Sequence, residues 1–351
     1  MAQINPDESA TGWQAIDRAL SQVYGEQEPL HLATLIKAAL GGPDPLDGIS
    51  VYSVGGDVPH WHYVSYGFSD LYGESPGAEE SDFGFELSFR LRRGAEADAP
   101  RWPANLMQNL ARYVFSSGNR FAAGHAVPAN GPIAAGQETD LTVLAFRIDP
   151  QLAPISTPNG SLEFLQMVAL TQEEADALSG WDRAQLLALL AKGNPLLVAD
   201  LAHKSALADP EFAALVDAGV ARDGSSMAGL MVERLSFAKR GLFSRDLEIT
   251  LGAIAVAPLL RLLRGRTLHG RRAELRAPDA SLALERADVA AAQLDGEALT
   301  LSLPDGCTRE LIATLLPKRG TYRVPSLPRV VFEIKPTFVR NREGNVERTI
   351  G

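Results

Sequence analysis

The chain has 351 residues, of which 46% are hydrophobic and 22% charged, a composition typical of a soluble globular protein with room for two domains. Its formal net charge is −10, and the acidic excess lies in residues 1–100, which hold 16 Asp and Glu but only 5 Lys and Arg. This charge repels nucleic acid at long range, and the single cysteine, Cys307, excludes an internal disulfide.

The sequence carries no signal for export or membrane insertion. The first nine residues are polar and acidic, without the basic and apolar regions of a secretory signal. The longest apolar stretch, residues 253–263, is interrupted by Pro258 and Arg261 and is too short to span a bilayer. We therefore expect a cytoplasmic protein that binds neither membranes nor nucleic acid.

Hydrophobic periodicity predicts helices and strands in mixed order over the first half. Thr11 and Gln14 form a capping-box pattern before an amphipathic helix that ends near Tyr24, and a second helix is predicted over residues 31–40. Pro103 is typical of the first turn of another helix. The predicted strands are 49–54, 61–68, 83–93, 119–127, 140–148 and 161–170. Further helices are predicted at 172–178, 182–192 and 210–221.

The second half repeats this mixture. Asp295 and Gly296 predict a hairpin turn, and the charged tail after Pro336 is expected to fray. The predicted strands are 228–236, 245–252, 271–276, 281–287, 297–303 and 329–335, with helices at 256–264 and 308–316. Because strands and helices do not alternate strictly, the predicted fold class is α+β, with a domain boundary within 195–228.

His60 and His62 are the leading metal-ligand candidates, because residues two apart on a strand face the same side. A zinc site needs further ligands, and neither the other histidines nor Cys307 show ligand spacing. We favour the interpretation in which Trp61 and Tyr63 pack inward while the two histidines bond to neighbouring polar groups. No metal and no cofactor is therefore predicted.

No pattern in the sequence predicts a reaction centre. There is no Gly-x-Ser-x-Gly motif and no phosphate-binding loop, so no catalytic residue is predicted. Cys307 precedes a predicted helix, but no motif supplies a histidine base, and an inert, half-buried cysteine is expected. A basic cluster could bind nucleic acid, but we favour the interpretation in which its guanidiniums pair with the acidic N-terminal domain or brace backbone carbonyls at a helix end. This cluster is Arg261, Arg264, Arg266, Arg271 and Arg272.

Several unusual stretches resemble the Suppressor of fused family, in an order preserved from about residue 13 to 271. They include Leu40-Gly41-Gly42-Pro43-Asp44-Pro45-Leu46-Asp47, Pro59-His60-Trp61-His62-Tyr63, Arg101-Trp102-Pro103-Ala104-Asn105-Leu106 and Leu263-Arg264-Gly265-Arg266. The resemblance implies two mixed α/β lobes with a cleft between them. A Suppressor of fused-like N-terminal domain would cover residues 1–205 and a C-terminal domain residues 206–351.

The resemblance also implies a partner and a set of binding residues. In animal members, a short extended peptide of a transcription factor adds as a strand in the cleft, which is β-augmentation. The positions that match cleft-lining family residues are Tyr113, Phe121, His125, Leu230 and Val232. His125 stands where the family has an aspartate, which argues against recognition of the animal peptide.

The compact chain, with only a short link near residues 237–246, resembles the bacterial branch of the family. That branch is associated with immunity proteins that neutralise polymorphic toxins, and an acidic lobe suits a basic toxin domain. The implied function is a non-enzymatic, inhibitory protein that captures a partner protein or extended peptide. Two alternatives stay open, an uncharacterised hydrolase that uses the cleft and a metal-dependent scaffold built on His60 and His62.

Overall fold

The architecture is that of a computed structural model, which describes residues 10–35, 41–239, 246–340 and 345–351. The chain divides into two compact units, one made of Met1–Ala175 with Ala188–Ala206 and the other of Asp176–Leu187 with Leu207–Gly351. Helices and sheets occur in mixed order in both units, which confirms the predicted α+β class. The predicted domain limits of 1–205 and 206–351 stay a prediction.

The first unit is built on an eight-stranded sheet. Its strands are β1 Leu30–Ala33, β2 Gly48–Val54, β3 His60–Tyr66, β4 Glu80–Arg92, β5 Ala126–Pro128, β6 Leu141–Ile148, β7 Ile155–Thr157 and β8 Gly160–Thr171. They pair in the order β1-β2-β3-β4-β8-β6-β5, and β7 pairs with β8. Helices α1 Thr11–Tyr24 and α2 Trp102–Ser117 pack on this sheet, while α3 Gln172–Gly180 and α4 Arg183–Ala191 lie across the unit limits.

Each face of this sheet is covered by one helix. Along β3, Trp61 and Tyr63 join the core beneath α2, whereas Val64 and Tyr66 join the core beneath α1. The inward packing predicted for Trp61 and Tyr63 is therefore confirmed. Each such fully buried side chain stabilises the fold by about 1.5–3 kcal/mol relative to an exposed one.

Helix α1 begins near its predicted start, but the predicted capping box is wrong. Thr11 is the first helical residue, and the N-cap position belongs to Ala10, which has no capping side chain. The hydroxyl of Thr11 instead donates to Asn159 Oδ1 at 3.4 Å. The helix forms because Ile16 and Leu20 are fully buried against the sheet, and such packing contributes more to helix stability than a cap.

The second unit contains a four-stranded sheet, a five-stranded sheet and a hairpin. Its helices are α5 Pro210–Asp223, α6 Ala253–Gly265 and α7 Asp305–Thr314. Its strands are β9 Gly229–Met231, β10 Leu235–Lys239, β11 Leu247–Gly252, β12 Ala273–Ala277, β13 Ala280–Arg286, β14 Ala291–Asp295, β15 Ala298–Leu303, β16 Gly320–Arg323, β17 Val330–Lys335, β18 Thr337–Arg340 and β19 Val346–Ile350. The sheet orders are β10-β11-β17-β16 and β14-β15-β13-β12-β9, and β18 pairs with β19.

A single cluster of buried apolar side chains forms the core of the second unit. The buried face of α6, including Val256 and Leu262, packs in the same cluster as Leu282 of β13 and Leu301 of β15. Trp181 is also buried. Among the described residues, no helix combines the length and apolar character that crossing a bilayer requires.

Several sequence predictions differ from the structure. Residues 30–33 form β1 rather than a helix, because they pair with β2, and residues 36–40 lie outside the described part of the chain. The predicted strand 228–236 is two strands in different sheets, and the tail expected to fray forms the β18–β19 hairpin. The predicted turn at Asp295 and Gly296 is confirmed, since it joins β14 to β15.

Candidate functional site

Strand β5 is the terminal strand of its sheet, and its outer edge pairs with no strand in the described structure. The N–H of Phe146 on β6 donates to the carbonyl of His125 at 2.9 Å. Because residues of an antiparallel pair alternate in this respect, Ala126 directs its N–H and C=O away from β6. Pro128 also faces outward, where its missing N–H limits the length of the free edge. A further strand can therefore pair at Ala126.

A stack of aromatic rings leads from the core to the surface beside β5. Phe121 stacks on Phe146 with ring centroids 4.4 Å apart, and Tyr113 stacks on Phe121 at 5.9 Å. Phe121 and Phe146 are buried, whereas Tyr113 is 48% exposed and its hydroxyl accepts a hydrogen bond from Asn119 Nδ2 at 3.1 Å. The buried rings support the Tyr113 ring, which presents apolar area and a polar tip to a partner.

His125 lies at the start of the same edge. It directly precedes β5, its side chain is exposed, and its N–H donates to the carbonyl of Ala122 at 2.9 Å. The structure thus brings together the residues predicted for the first unit, with Phe121 as internal support and Tyr113 and His125 at the surface.

Strand β9 is the terminal strand of the five-stranded sheet in the second unit. It runs parallel to β12, and the N–H of Val232 donates to the carbonyl of Arg276 on that strand at 2.8 Å. By the alternation of backbone groups along a strand, Gly229 and Met231 direct their N–H and C=O groups away from β12. The second unit therefore also offers a short free strand edge.

The residues predicted for this edge do not present their side chains to solvent. Leu230 is half-buried, and Val232 is 8% exposed within the core of the second unit. Met231, between them, is 71% exposed and is the side chain that β9 presents. Sequence reasoning missed Met231, although alternation along a strand places it on the face opposite Leu230 and Val232.

A buried charge network lies on the α1 face of the first sheet. Arg90 donates to both carboxylate oxygens of Asp149, at 2.6 and 3.0 Å, and Ser88 Oγ donates to Asp149 at 2.5 Å. Burial alone raises the pKa of Asp149, but His62 and Arg90 outweigh it and hold the pKa below its usual range. Burial and the charge of Arg90 lower the pKa of His62 to about 4, so this imidazole is neutral.

This network contains serine, histidine and aspartate but not in the order that activates a nucleophile. Ser88 bonds directly to Asp149, whereas a serine nucleophile needs a histidine base between the two. His62 Nε2 lies 3.6 Å from Asp149, and its Nδ1 is hydrogen-bonded to the hydroxyl of Tyr24. All of these groups except Tyr24 are sealed from solvent, so the network stabilises the fold and gives the hydrolase alternative no support.

Glu86 is a second sealed polar centre on the same face. Its carboxylate accepts hydrogen bonds from Ser65 Oγ at 2.6 Å, Ser69 Oγ at 2.7 Å and the N–H groups of Gly67 and Ser69 at 2.9 and 3.0 Å. Burial raises the pKa of Glu86 to about 7 against the lowering effect of these bonds. A perturbed carboxyl can mark an active site. Glu86 is fully buried, however, and no substrate can reach it.

The suspected metal and thiol residues are also internal. His60 Nδ1 donates to the carbonyl of Val58 at 2.8 Å, so both histidines bond to neighbouring polar groups as expected. Within the described ranges, no three His, Cys, Asp or Glu side chains assemble as a candidate ion site. Cys307 is buried in the first turn of α7, and burial raises the pKa of its thiol.

His203 is expected to titrate above its usual pKa of 6.5, because its Nε2 lies 2.8 Å from Glu174 Oε1. The hydrogen bond to Glu174 is the main cause, and the charge of Asp200 adds to it. The stabilisation from this pair is full below pH 6.5 and is lost as the pH rises through the folded pKa. NMR titration of the imidazole should give a lower midpoint in Glu174→Gln, and equal midpoints would contradict the assignment.

Comparison with known proteins identifies relatives of this architecture. Residues 42–203 match the model of the Suppressor of fused protein (SUFU) family. The human Suppressor of fused homolog is 39% identical over 238 residues, which cover 62% of this chain and 49% of the human protein, and the mouse homolog gives the same figures. The chain thus spans about half the length of the curated relatives it matches.

Solved structures agree with the sequence relatives. A crystal structure of Drosophila Suppressor of Fused has a TM-score of 0.77 and 26% identity, and the match covers 94% of this chain and 99% of that chain. A chain of the Sufu–Fu complex crystal structure is 36% identical with a TM-score of 0.55, covering 58% of this chain and 96% of that chain. On these matches, the chain belongs to the Suppressor of fused family.

Proposed function

We propose that this chain is a non-enzymatic, inhibitory protein that captures an extended segment of a partner protein by strand addition. The observation that carries the proposal is the position of the residues matched to the family's binding residues. They fall on or beside β5 and β9, two short terminal strands whose outward N–H and C=O groups pair with no strand among the described residues. In strand addition such main-chain groups give affinity, and neighbouring side chains such as Tyr113 give specificity.

A relative supports the partner-binding part of the proposal. The solved Sufu–Fu complex holds a Suppressor of fused protein together with another protein, Fu. Because this chain is 36% identical to the matched chain of that complex, protein binding is the activity that we extend to it. The identity of the partner, Fu, belongs to that complex and is not extended to this chain.

More specifically, we propose that this chain is a compact, bacterial-type member of the Suppressor of fused family that acts in the cytoplasm as an immunity protein. The charge of the chain supports a basic partner, since residues 1–100 hold 16 acidic and 5 basic residues, which would attract a basic toxin domain. Co-expression with the toxin-like product of a neighbouring reading frame tests this form. Rescue of growth is expected, and absence of both rescue and a complex would count against it.

Tyr113→Ala should weaken peptide binding about tenfold or more, because it removes the exposed ring beside the β5 edge. Phe115→Ala is the matched control. Phe115 is 41% exposed on the same helix, but its ring packs against Phe83, with centroids 4.8 Å apart, rather than in the Tyr113 stack. We expect this control to change affinity less than about threefold.

The probes for this measurement are extended peptides selected from a random library on the purified wild-type chain. Their affinities for both variants are then measured by fluorescence anisotropy, with circular dichroism to confirm that each variant is folded. Equal loss in Tyr113→Ala and Phe115→Ala, or binding that neither change affects, would contradict the assignment of the β5 edge. If the library yields no peptide that binds the wild-type chain, the proposal that this chain captures an extended segment is contradicted.

A further inference from the structure

The second unit carries a cluster of arginines that strand addition does not use, here called the arginine patch. It consists of Arg222, Arg264, Arg266, Arg271, Arg272 and Arg286. Arg266 Nη1 and Arg271 Nη1 both donate to the carbonyl of Ser225, at 3.1 and 3.3 Å. Arg222 pairs with Asp223, next in the chain to that turn, through bonds of 2.7 and 2.5 Å. Of the two interpretations favoured for the basic cluster, the bracing of backbone carbonyls is therefore the one observed for Arg266 and Arg271.

The remaining members lie around the same turn, and Arg286 is included because its side chain lies against Gly270, which directly precedes Arg271. Arg264 is in the last turn of α6, next to Gly265, whose carbonyl accepts a hydrogen bond from the N–H of Ser225 at 2.6 Å. The backbone carbonyl of Arg272 accepts a hydrogen bond from Arg266 Nε at 2.8 Å. The side chains of Arg264 and Arg272 are exposed, and neither forms an ion pair with any residue that the structure describes.

The patch has an excess of positive charge in a chain whose net charge is −10. The carboxylates paired with its six arginines are Asp223, with Arg222, and Asp305, which lies 2.8 Å from Arg286. Six cations against two anions leave an excess of four positive charges. Such a concentration of like charge is unfavourable for folding because the charges repel one another, and it attracts ligands of opposite charge.

Every basic side chain of the patch is an arginine. A guanidinium presents a planar fork of N–H donors that matches a carboxylate in a bidentate manner, which the ammonium group of lysine does not. The carbonyl of Ser225 holds Arg266 and Arg271 in place before a ligand arrives, so less side-chain entropy is lost on binding. We infer that the arginine patch binds an acidic, carboxylate-rich segment of a protein.

The charge of the whole chain selects a short acidic peptide over a nucleic acid. A nucleic acid is a long polyanion, and the acidic residues of the chain repel it well beyond the patch. The carboxylates of a short acidic peptide are complementary to the excess positive charge of the patch.

The test compares two labelled probes, an octa-glutamate peptide and a single-stranded oligothymidylate of equal charge, at about 50 mM salt where screening is weak. In the full-length chain, Arg264→Gln with Arg272→Gln is expected to weaken peptide binding about three- to tenfold. Lys318→Gln with Arg319→Gln removes the same charge elsewhere in the second unit and should leave affinity unchanged. Glutamine is chosen rather than glutamate because a negative charge at the C-terminal end of α6 would be repelled by the negative end of the helix dipole.

Three results would overturn the inference. These are no binding of octa-glutamate by the wild-type chain, equal weakening in both double variants, and tighter binding of the oligothymidylate than of the peptide. Tyr113→Ala serves as a separate control, because it disturbs the β5 edge and should leave octa-glutamate binding unchanged. The arginine patch and the strand edges can therefore fail independently.

Discussion

Arg90→Ala is expected to lower the free energy of unfolding of the first unit by about 3–5 kcal/mol. Arg90 and Asp149 are both fully buried, and the guanidinium donates to both carboxylate oxygens. Removal of the arginine leaves a buried carboxylate without its cation, and the desolvation penalty of Asp149 is then no longer offset. The cavity left by the side chain adds to the cost.

Arg92→Ala is the matched control, because Arg92 lies on the same strand and also pairs with an aspartate. Its bond to Asp200 is 2.9 Å long, but the two side chains are 60% and 36% exposed. An exposed pair of this kind contributes less than about 1 kcal/mol. Urea unfolding of both variants measures the difference. Similar losses in Arg90→Ala and Arg92→Ala would contradict the structural role assigned to the buried pair.

Glu86 is expected to make a contribution to the free energy of unfolding that falls as the pH rises from about 4.5 to about 7, whereas His62, whose folded pKa is about 4, makes an opposite contribution up to its usual pKa of 6.5. The folded state raises the pKa of this carboxyl to about 7, so over that range it binds a proton that the unfolded chain has released. For each pH unit over which Glu86 is protonated only in the folded state, its contribution to the free energy of unfolding falls by about 1.4 kcal/mol. The total over this range is roughly 3 kcal/mol.

Glu86→Gln should remove this contribution while keeping most of the stability, so its free energy of unfolding should rise relative to that of the wild type from about pH 4.5 to about 7. The amide oxygen can accept from Gly67 and Ser69, and the amide nitrogen can donate to Ser65 Oγ. Glu86→Ala should instead be destabilising at all pH values, because it leaves buried donors unpaired. The measurement is urea unfolding from pH 4 to 8. A difference in the free energy of unfolding between wild type and Glu86→Gln that stays constant over this range would contradict the assignment to Glu86.

The fold class and most helices were accessible from the sequence because they depend on local patterns. The 3.6-residue period of apolar residues predicted α1, and the alternation of residues along the chain predicted β3. Pro103 predicted the start of α2. The inward packing of Trp61 and Tyr63 followed from the same alternation. These elements are long, and their hydrophobic pattern agrees with their final packing.

The buried polar face of the first sheet could not be predicted from local patterns. Strand β4 alternates apolar residues with Glu86, Ser88 and Arg90, a pattern that usually indicates a solvent-facing side. Here α1 covers that side, so the polar residues are buried. The partner that makes this burial tolerable, Asp149, is 59 residues from Arg90 and follows β6. Only the three-dimensional pairing reveals the network.

The short edge strands were also not predicted from the sequence, and one of them, β9, is part of the candidate site. Strand β1 has four residues and β9 has three. Each forms because it pairs with a strand further along the chain, β1 with β2 and β9 with β12. The family resemblance gave Leu230 and Val232 as binding residues, yet their side chains face the core and Met231 faces solvent. Which face of a three-residue strand is exposed depends on the sheet it joins.

The most direct test of strand addition is amide hydrogen exchange of Ala126, Gly229 and Met231, followed by NMR with and without a library-selected peptide. These N–H groups point away from β6 and β12, so they should exchange freely in the unbound chain and slow at least about tenfold in the complex. The N–H of Val127 faces β6 and should be protected in both states. Unchanged exchange at all three amides in a saturated complex would contradict the proposal that the partner pairs with these edges.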